Sequence, residues 1–239
     1  MWRVSAIGLV LFAAACSAAA GNPSGEAAPS PVDGGGSLGA DAGAGGTDAG
    51  GAVAVTLTQS SSDEITPQNS VACIESDADG NPVEHRENSF YRVFDLSAAG
   101  VTGRLETSSV ALGIQSAESP DPDQPMSIRL HTLSGALALA NLTEIGRADV
   151  TVANQGAGIL SFPIVATAEA GSTLVVEIFL PDAAGGGNLL FPGSNAATQT
   201  GPTYIRAPAD GCDLDEPTDI ADIGFPDMHL VVSVAGSAY

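Results

Sequence analysis

From Val53 onward the larger apolar residues recur at every second position. Val53, Val55 and Leu57 alternate with Ala54 and Thr56, and SFYRVFDL carries Phe90, Phe94 and Leu96 on one side. VALGI repeats the pattern with Val110, Leu112 and Ile114, and MSIRLHTL with Met126, Ile128 and Leu130. Successive side chains of a pleated strand point to opposite faces, so period two marks strands with one buried side. ADVTV, GILSFPIV, STLVVEIFL and MHLVVSV continue the series, and DADGNP, SPDPDQP, NQGAG and PDAAGGGN punctuate it with turn formers. No stretch sustains an amphipathic helical stripe over three turns, although the Ala-rich SGALALANL suits a short helix. Many short strands between Gly and Pro turns predict an all-β protein, a single antiparallel β-sandwich of jelly-roll type over residues 53–239, with the final strand tucked into a sheet. That length holds one core and is too short for two.

The first 52 residues obey other rules. Met1, Trp2 and Arg3 precede an apolar run from Val4 to Ala15, interrupted only by Ser5 and Gly8 and closing on Ala13, Ala14 and Ala15. A positive start, a short apolar stretch and small residues before a cut describe an export signal over 1–15, too short to remain as a bilayer span. Cys16 directly after AAA resembles the bacterial lipobox, in which the cysteine is acylated and the chain is cut just before it. That family prefers Leu where Ala13 stands, and an ordinary signal-peptidase cut after Ala15 or Ala20 would instead release a soluble secreted protein. Ser17 and Ala18 lack the Asp that retains some lipoproteins at the inner membrane, which gives an outer-membrane address. Residues 16–52 then form the lipidated cysteine and a linker. Val32 and Leu38 are its only larger aliphatics, so it behaves as a coil spanning about 30–36 Å. GGGSLG within it fits G-x-G-x-x-G, but no strand precedes it and no helix follows, which excludes a nucleotide site.

The chain contains three cysteines, Cys16, Cys73 and Cys212. Acylation of Cys16 leaves an even pair in an oxidising compartment, so Cys73 and Cys212 are expected to form one disulfide. In the chain-entropy model a loop of that length stabilises by roughly 5 kcal/mol. Every basic side chain is Arg; there is no lysine, which excludes Schiff-base and Walker-type chemistry. Setting aside Arg3 and the four acids before residue 53 leaves 24 acids against six Arg, a formal charge of −18. A domain so charged repels nucleic acid and anionic lipid, and the same acidity solvates an extracellular surface.

The blocks NSFYRVFDLSAAGV, VALGI, LHTLSGALALANLTEIG, AGSTLVVEIFLPD, GSNAATQTGPTYIRAPADGC and IGFPDMHLVV, in that order, resemble a β-sandwich module of secreted bacterial proteins. Such modules are appended to extracellular proteases or to adhesin-like surface chains. The resemblance runs from about Val55 to Val234 and implies an accessory module, not a catalyst. Here the module stands alone behind a signal and a linker.

Catalytic motifs are sparse. His85, His131 and His229 lie far apart without metal-ligand spacing and are expected as surface or strand histidines, and no G-x-S-x-G elbow occurs. GSNAATQTGPTYIRAP, residues 193–208, offers Asn195, Gln199, Tyr204 and Arg206 as candidate ligand-binding residues, the amides reading sugar hydroxyls and Tyr204 stacking on a ring. A long loop satisfying its own backbone would use the same residues. Carboxylates crowd near the cysteines, with Asp77 and Asp79 on one side and Asp213 and Asp215 on the other. A Cys73–Cys212 bond would bring these stretches together as a candidate Ca2+ site, although Pro82 occupies the EF-hand glycine position. The expected function is a lipid-anchored, extracytoplasmic, non-catalytic binding or structural protein with an envelope protein or a glycan as partner. A carbohydrate-binding lectin and a secreted hydrolase are the alternatives.

Overall fold

A computed structural model describes residues 6–11 and 51–239; Cys16 and linker residues 17–50 lie outside the described residues, as do 1–5 and 12–15. In chain order the strands are β1 Ala6–Leu11, β2 Val53–Thr58, β3 Val71–Ser76, β4 Pro82–His85, β5 Asn88–Asp95, β6 Leu105–Glu118, β7 Asp123–Leu133, β8 Leu142–Ala153 and β9 Gly158–Pro163. There follow β10 Thr167–Ala168, β11 Thr173–Leu180, β12 Leu189–Pro192, β13 Ser194–Asn195, β14 Tyr204–Ala207, β15 Leu214–Asp219, β16 His229–Leu230 and β17 Val232–Ala238. The fold is all-β, as the alternation predicts. SGALALANL yields one 3-10 turn, Leu139–Asn141, rather than a helix. Only eight residues separate β7 from β8, too few to stabilise a helix without a packed face.

Two antiparallel six-stranded sheets carry the architecture. In the first, the long β6 has two occupied edges. β17 pairs with Leu105–Leu112 while β9 pairs with the overlapping Ser109–Ile114, so the two flank β6 on opposite sides. β17, the final strand, lies between β6 and β2, inside the sheet as expected. The second sheet runs β15-β14-β5-β11-β7-β8. Val110, Leu112 and Ile114 of β6 share one buried cluster with Phe90 and Phe94 of β5, Ile128 and Leu130 of β7, and Leu174, Val176 and Ile178 of β11. Each such side chain contributes about 1.5–3 kcal/mol when removed from water, so the sandwich is held by the inner faces.

A smaller sheet, β1-β3-β4, stands beside these two. β3 is fixed by the Asn88 side chain, which imitates a neighbouring peptide. Asn88 Oδ1 accepts from the Cys73 N–H at 2.8 Å, and Asn88 Nδ2 donates to Cys73 O at 3.0 Å and to Arg86 O at 2.8 Å. The expected disulfide is present, Cys73–Cys212, with Cα atoms 6.1 Å apart. On β4, buried Glu84 clasps the PDAAGGGN turn by accepting from the N–H groups of Gly185 (2.9 Å) and Gly187 (3.1 Å). Both glycines take positive φ, 76° and 66°, which turns their amides toward the carboxylate at no Cβ cost. β1 falls inside the run read as an export signal and pairs antiparallel with β3.

Candidate functional site: the polar face of the second sheet

Register places side chains of the second sheet in cross-strand rows on the face away from the core. One row reads Asp219, Tyr204, Tyr91, Glu177, Arg129 and Arg147 from β15 to β8. The next reads Arg206, Ser89, Phe179, Ser127 and Asp149. Directly paired residues share a face, so the rows follow from pairing alone.

The face is not a simple solvent surface, because Tyr91 and Ser89 are fully buried and Glu177 is only 5% exposed. Six strands about 4.8 Å apart would put the edges of a flat sheet about 24 Å apart. Leu139, in the β7–β8 connection at one edge, nevertheless donates its N–H to Glu216 Oε2 on β15 at the other, at 2.9 Å. The sheet therefore curls about its polar face, and the β7–β8 connection reaches the opposite edge.

Glu177 is the hub of this concavity. Its Oε1 accepts from Ser89 Oγ (2.8 Å), Tyr91 Oη (3.3 Å) and an Arg129 terminal nitrogen (3.3 Å), while Oε2 meets His131 Nε2 at 2.9 Å. Burial pushes the Glu177 carboxyl upward, but the hydrogen bonds from His131 and Ser89 and the charge of Arg129 outweigh it and hold it below the usual range. Burial, reinforced by the Glu177 charge, pushes the Tyr91 phenol above its ordinary range. Arg129 also stacks on Phe179, 4.0 Å from the ring centroid. Beside this pair a groove of about 630 Å3 opens, lined by Ser127, Arg147 and Asp149 among others.

The chemistry of this arrangement is that of a saturated carboxylate. Ser89 and His131 both address Glu177, so the carboxylate stands between them, and a hydrolytic serine requires the histidine on its own hydroxyl. His131 Nδ1 and Arg129 Nε are buried without hydrogen-bond partners. They are the polar atoms of the cluster left to be engaged.

The residues expected to bind a ligand divide into two pairs. Tyr204 and Arg206 stand on the rim of this face, where Arg206 bonds Glu87 Oε1 at 2.6 Å and the Asp215 carbonyl at 3.0 Å. Asn195 and Gln199 serve internal loops. Asn195 is 3% exposed; its Nδ2 donates to Ser62 O (3.0 Å) and Glu64 O (2.9 Å). Gln199 accepts from the buried Arg92 guanidinium and donates to Ser60 Oγ at 3.0 Å. Arg92 also donates to Thr203 Oγ1 (2.9 Å) and Gly201 O (3.1 Å), which pins the loop before β14 with neutral acceptors.

The four acids near the disulfide are exposed. Asp77 Oδ1 accepts from the N–H groups of Asp79 and Asn81, both at 2.9 Å, closing its own turn. Asp213 takes φ 53° just after Cys212, and Asp215 offers its carbonyl to Arg206. The extended β3 carries Asp77 about 13 Å from Cys73, so the bond joins the bases of the two segments and not their carboxylates. Among the described residues no three His, Cys, Asp or Glu side chains gather as a metal-holding group.

Glu177, Arg129, Tyr91 and Ser89 belong to no motif in the sequence, and His131 reads there only as a surface or strand histidine. A signal was present: Glu177 interrupts STLVVEIFL at an outward position, and Arg129 and His131 occupy alternate outward positions of MSIRLHTL. Comparison with protein-family models, with curated proteins and with solved structures found no match to this chain.

Proposed function

We propose that this chain is a non-catalytic binding or structural protein of the bacterial envelope, tethered to the outer membrane by lipid on Cys16 and acting through its β-sandwich. The observation that carries the reading is the Cys73–Cys212 bond. Structural disulfides belong to oxidising compartments outside the cytoplasm, and this one leaves Cys16 as the single remaining thiol, at the end of an export-type run. The resemblance to accessory modules of secreted proteins fits the same role. Labelled fatty acid should be incorporated into the wild-type chain in an exporting bacterial host. Cys16→Ser should abolish the label and move the protein from the membrane to the soluble fraction; a wild-type chain that takes up no label refutes the tether.

Glycan binding is the second reading, favoured by the 630 Å3 groove. Its Ser127, Arg147 and Asp149 set donors and acceptors beside the Arg129–Phe179 stack, within the usual size range of ligand sites. Glycan-array signals lost in Arg147→Ala would support it, and an array without signals would remove it.

A further inference from the structure

We infer that the outer edge of β3 is an acceptor for an extended aliphatic strand supplied by another protein. In the structure that edge is taken by Ala6–Leu11, in unbroken antiparallel register from Ala6 opposite Ser76 to Leu11 opposite Val71. The inference rests on the reading that residues 1–15 leave as an export signal, because their departure vacates this place.

Backbone direction identifies what is then left open. His85, opposite Ile74 on β4, directs its N–H to Asn188 O (2.9 Å) and its C=O to the Ala183 N–H (3.2 Å), away from β3. Cys73 turns both backbone groups inward, to Asn88 and to the Arg86 N–H. By strand alternation Ala72 and Ile74 point theirs outward, to Val10 and Gly8. The N–H and C=O groups of Ala72 and Ile74 are therefore among those that lose their partners with β1. With β1 in place Val71, Ala72, Cys73 and Ile74 have no exposure, and all four side chains are apolar, so a replacement strand meets apolar neighbours on both faces of β3. Unpaired edges beside such surfaces recruit strands.

The rest of the chain does not supply that strand. Residues 17–52 hold only Val32 and Leu38 as larger aliphatics, and β2 to β17 already occupy places in sheets. The occupant is accordingly a segment of a different protein, extended and aliphatic like AIGLVL, running antiparallel to β3.

The test uses the full chain expressed with its own leader in an exporting host and purified from the envelope. Its intact mass reports the cut before Cys16. A peptide Ala-Ile-Gly-Leu-Val-Leu with an uncharged polar tail should then bind and slow amide exchange at Ala72 and Ile74. N-methylation at its Gly and Val should weaken binding at least tenfold, whereas N-methylation at its Ile and first Leu should not. Processed protein that ignores the peptide, or loses it equally with either methylation set, overturns the acceptor edge and leaves the envelope reading standing. Retention of residues 1–15 overturns both. Protection of Ala72 and Ile74 that appears without peptide and grows with protein concentration assigns the edge to a second copy and overturns the proposed occupant.

Discussion

Glu177→Gln tests whether the hub of the curled sheet acts as a charged acceptor. Gln keeps the volume and one carbonyl, so Ser89, Tyr91 and Arg129 still find an oxygen at the Oε1 position. Two things are lost. The new amide donors face His131 Nε2, 2.9 Å from Oε2 in the parent, and Arg129, whose side chain is 19% exposed, loses its counter-charge. A hydrogen bond to a charged group contributes about 1.5–3 kcal/mol, and stranding one member of a buried pair costs about 3–5 kcal/mol. The retained carbonyl and the partial exposure of Arg129 bring the expected loss to about 2–4 kcal/mol. In urea unfolding this appears as a midpoint about 1–2 M lower with an unchanged slope. The pH dependence supplies a second arm. The folded-state Glu177 carboxyl lies below its ordinary value of 4.5, so its stabilisation is complete above that pH and disappears as pH falls through the folded value. The gap between parent and variant should therefore close toward pH 3. A loss under about 0.5 kcal/mol at pH 7, against the range expected from broken charged hydrogen bonds, or a gap that stays constant into acid, would refute the reasoning.

Two further outcomes follow from buried polar groups. His85 is 1% exposed, accepts the Leu190 N–H at Nδ1 (3.3 Å) and meets Pro181 O through Nε2 (3.1 Å). Burial holds its pKa below 6.5, so its contribution is present above that pH and is lost as pH falls toward the folded value. The wild-type urea midpoint should thus decline between pH 7.5 and 5, and His85→Gln should flatten that decline. Asn88→Ala should cost about 2–4 kcal/mol in the same assay, since it orphans the buried Cys73 N–H and removes the side-chain donor shared by the Cys73 and Arg86 carbonyls, leaving the Cys73 C=O with the Arg86 N–H alone. Asn88→Asp should cost at least as much at neutral pH, because its second oxygen would face the carbonyls of Cys73 and Arg86; equal stability of Asn88→Ala and wild type would contradict the peptide-mimic role.

Alternation alone made the strands legible. VALGI, MSIRLHTL and STLVVEIFL each announce an inner face, and those faces compose the core. The Cys73–Cys212 bond was legible too, because reading Cys16 as the acylated residue of an exported chain leaves one pairing. The polar hub was not. Ser89 and Glu177 are 88 residues apart, and His131 and Glu177 are 46 apart; period two assigns each a face but does not say which strands become neighbours. Sheet order and register make that choice, and curling then turns an outward face into a buried concavity. The acids flanking the cysteines show the converse limit, because an extended strand separates carboxylates whose roots a disulfide joins. Local sequence sets the direction of each side chain from its own backbone, while long-range pairing decides what that side chain meets.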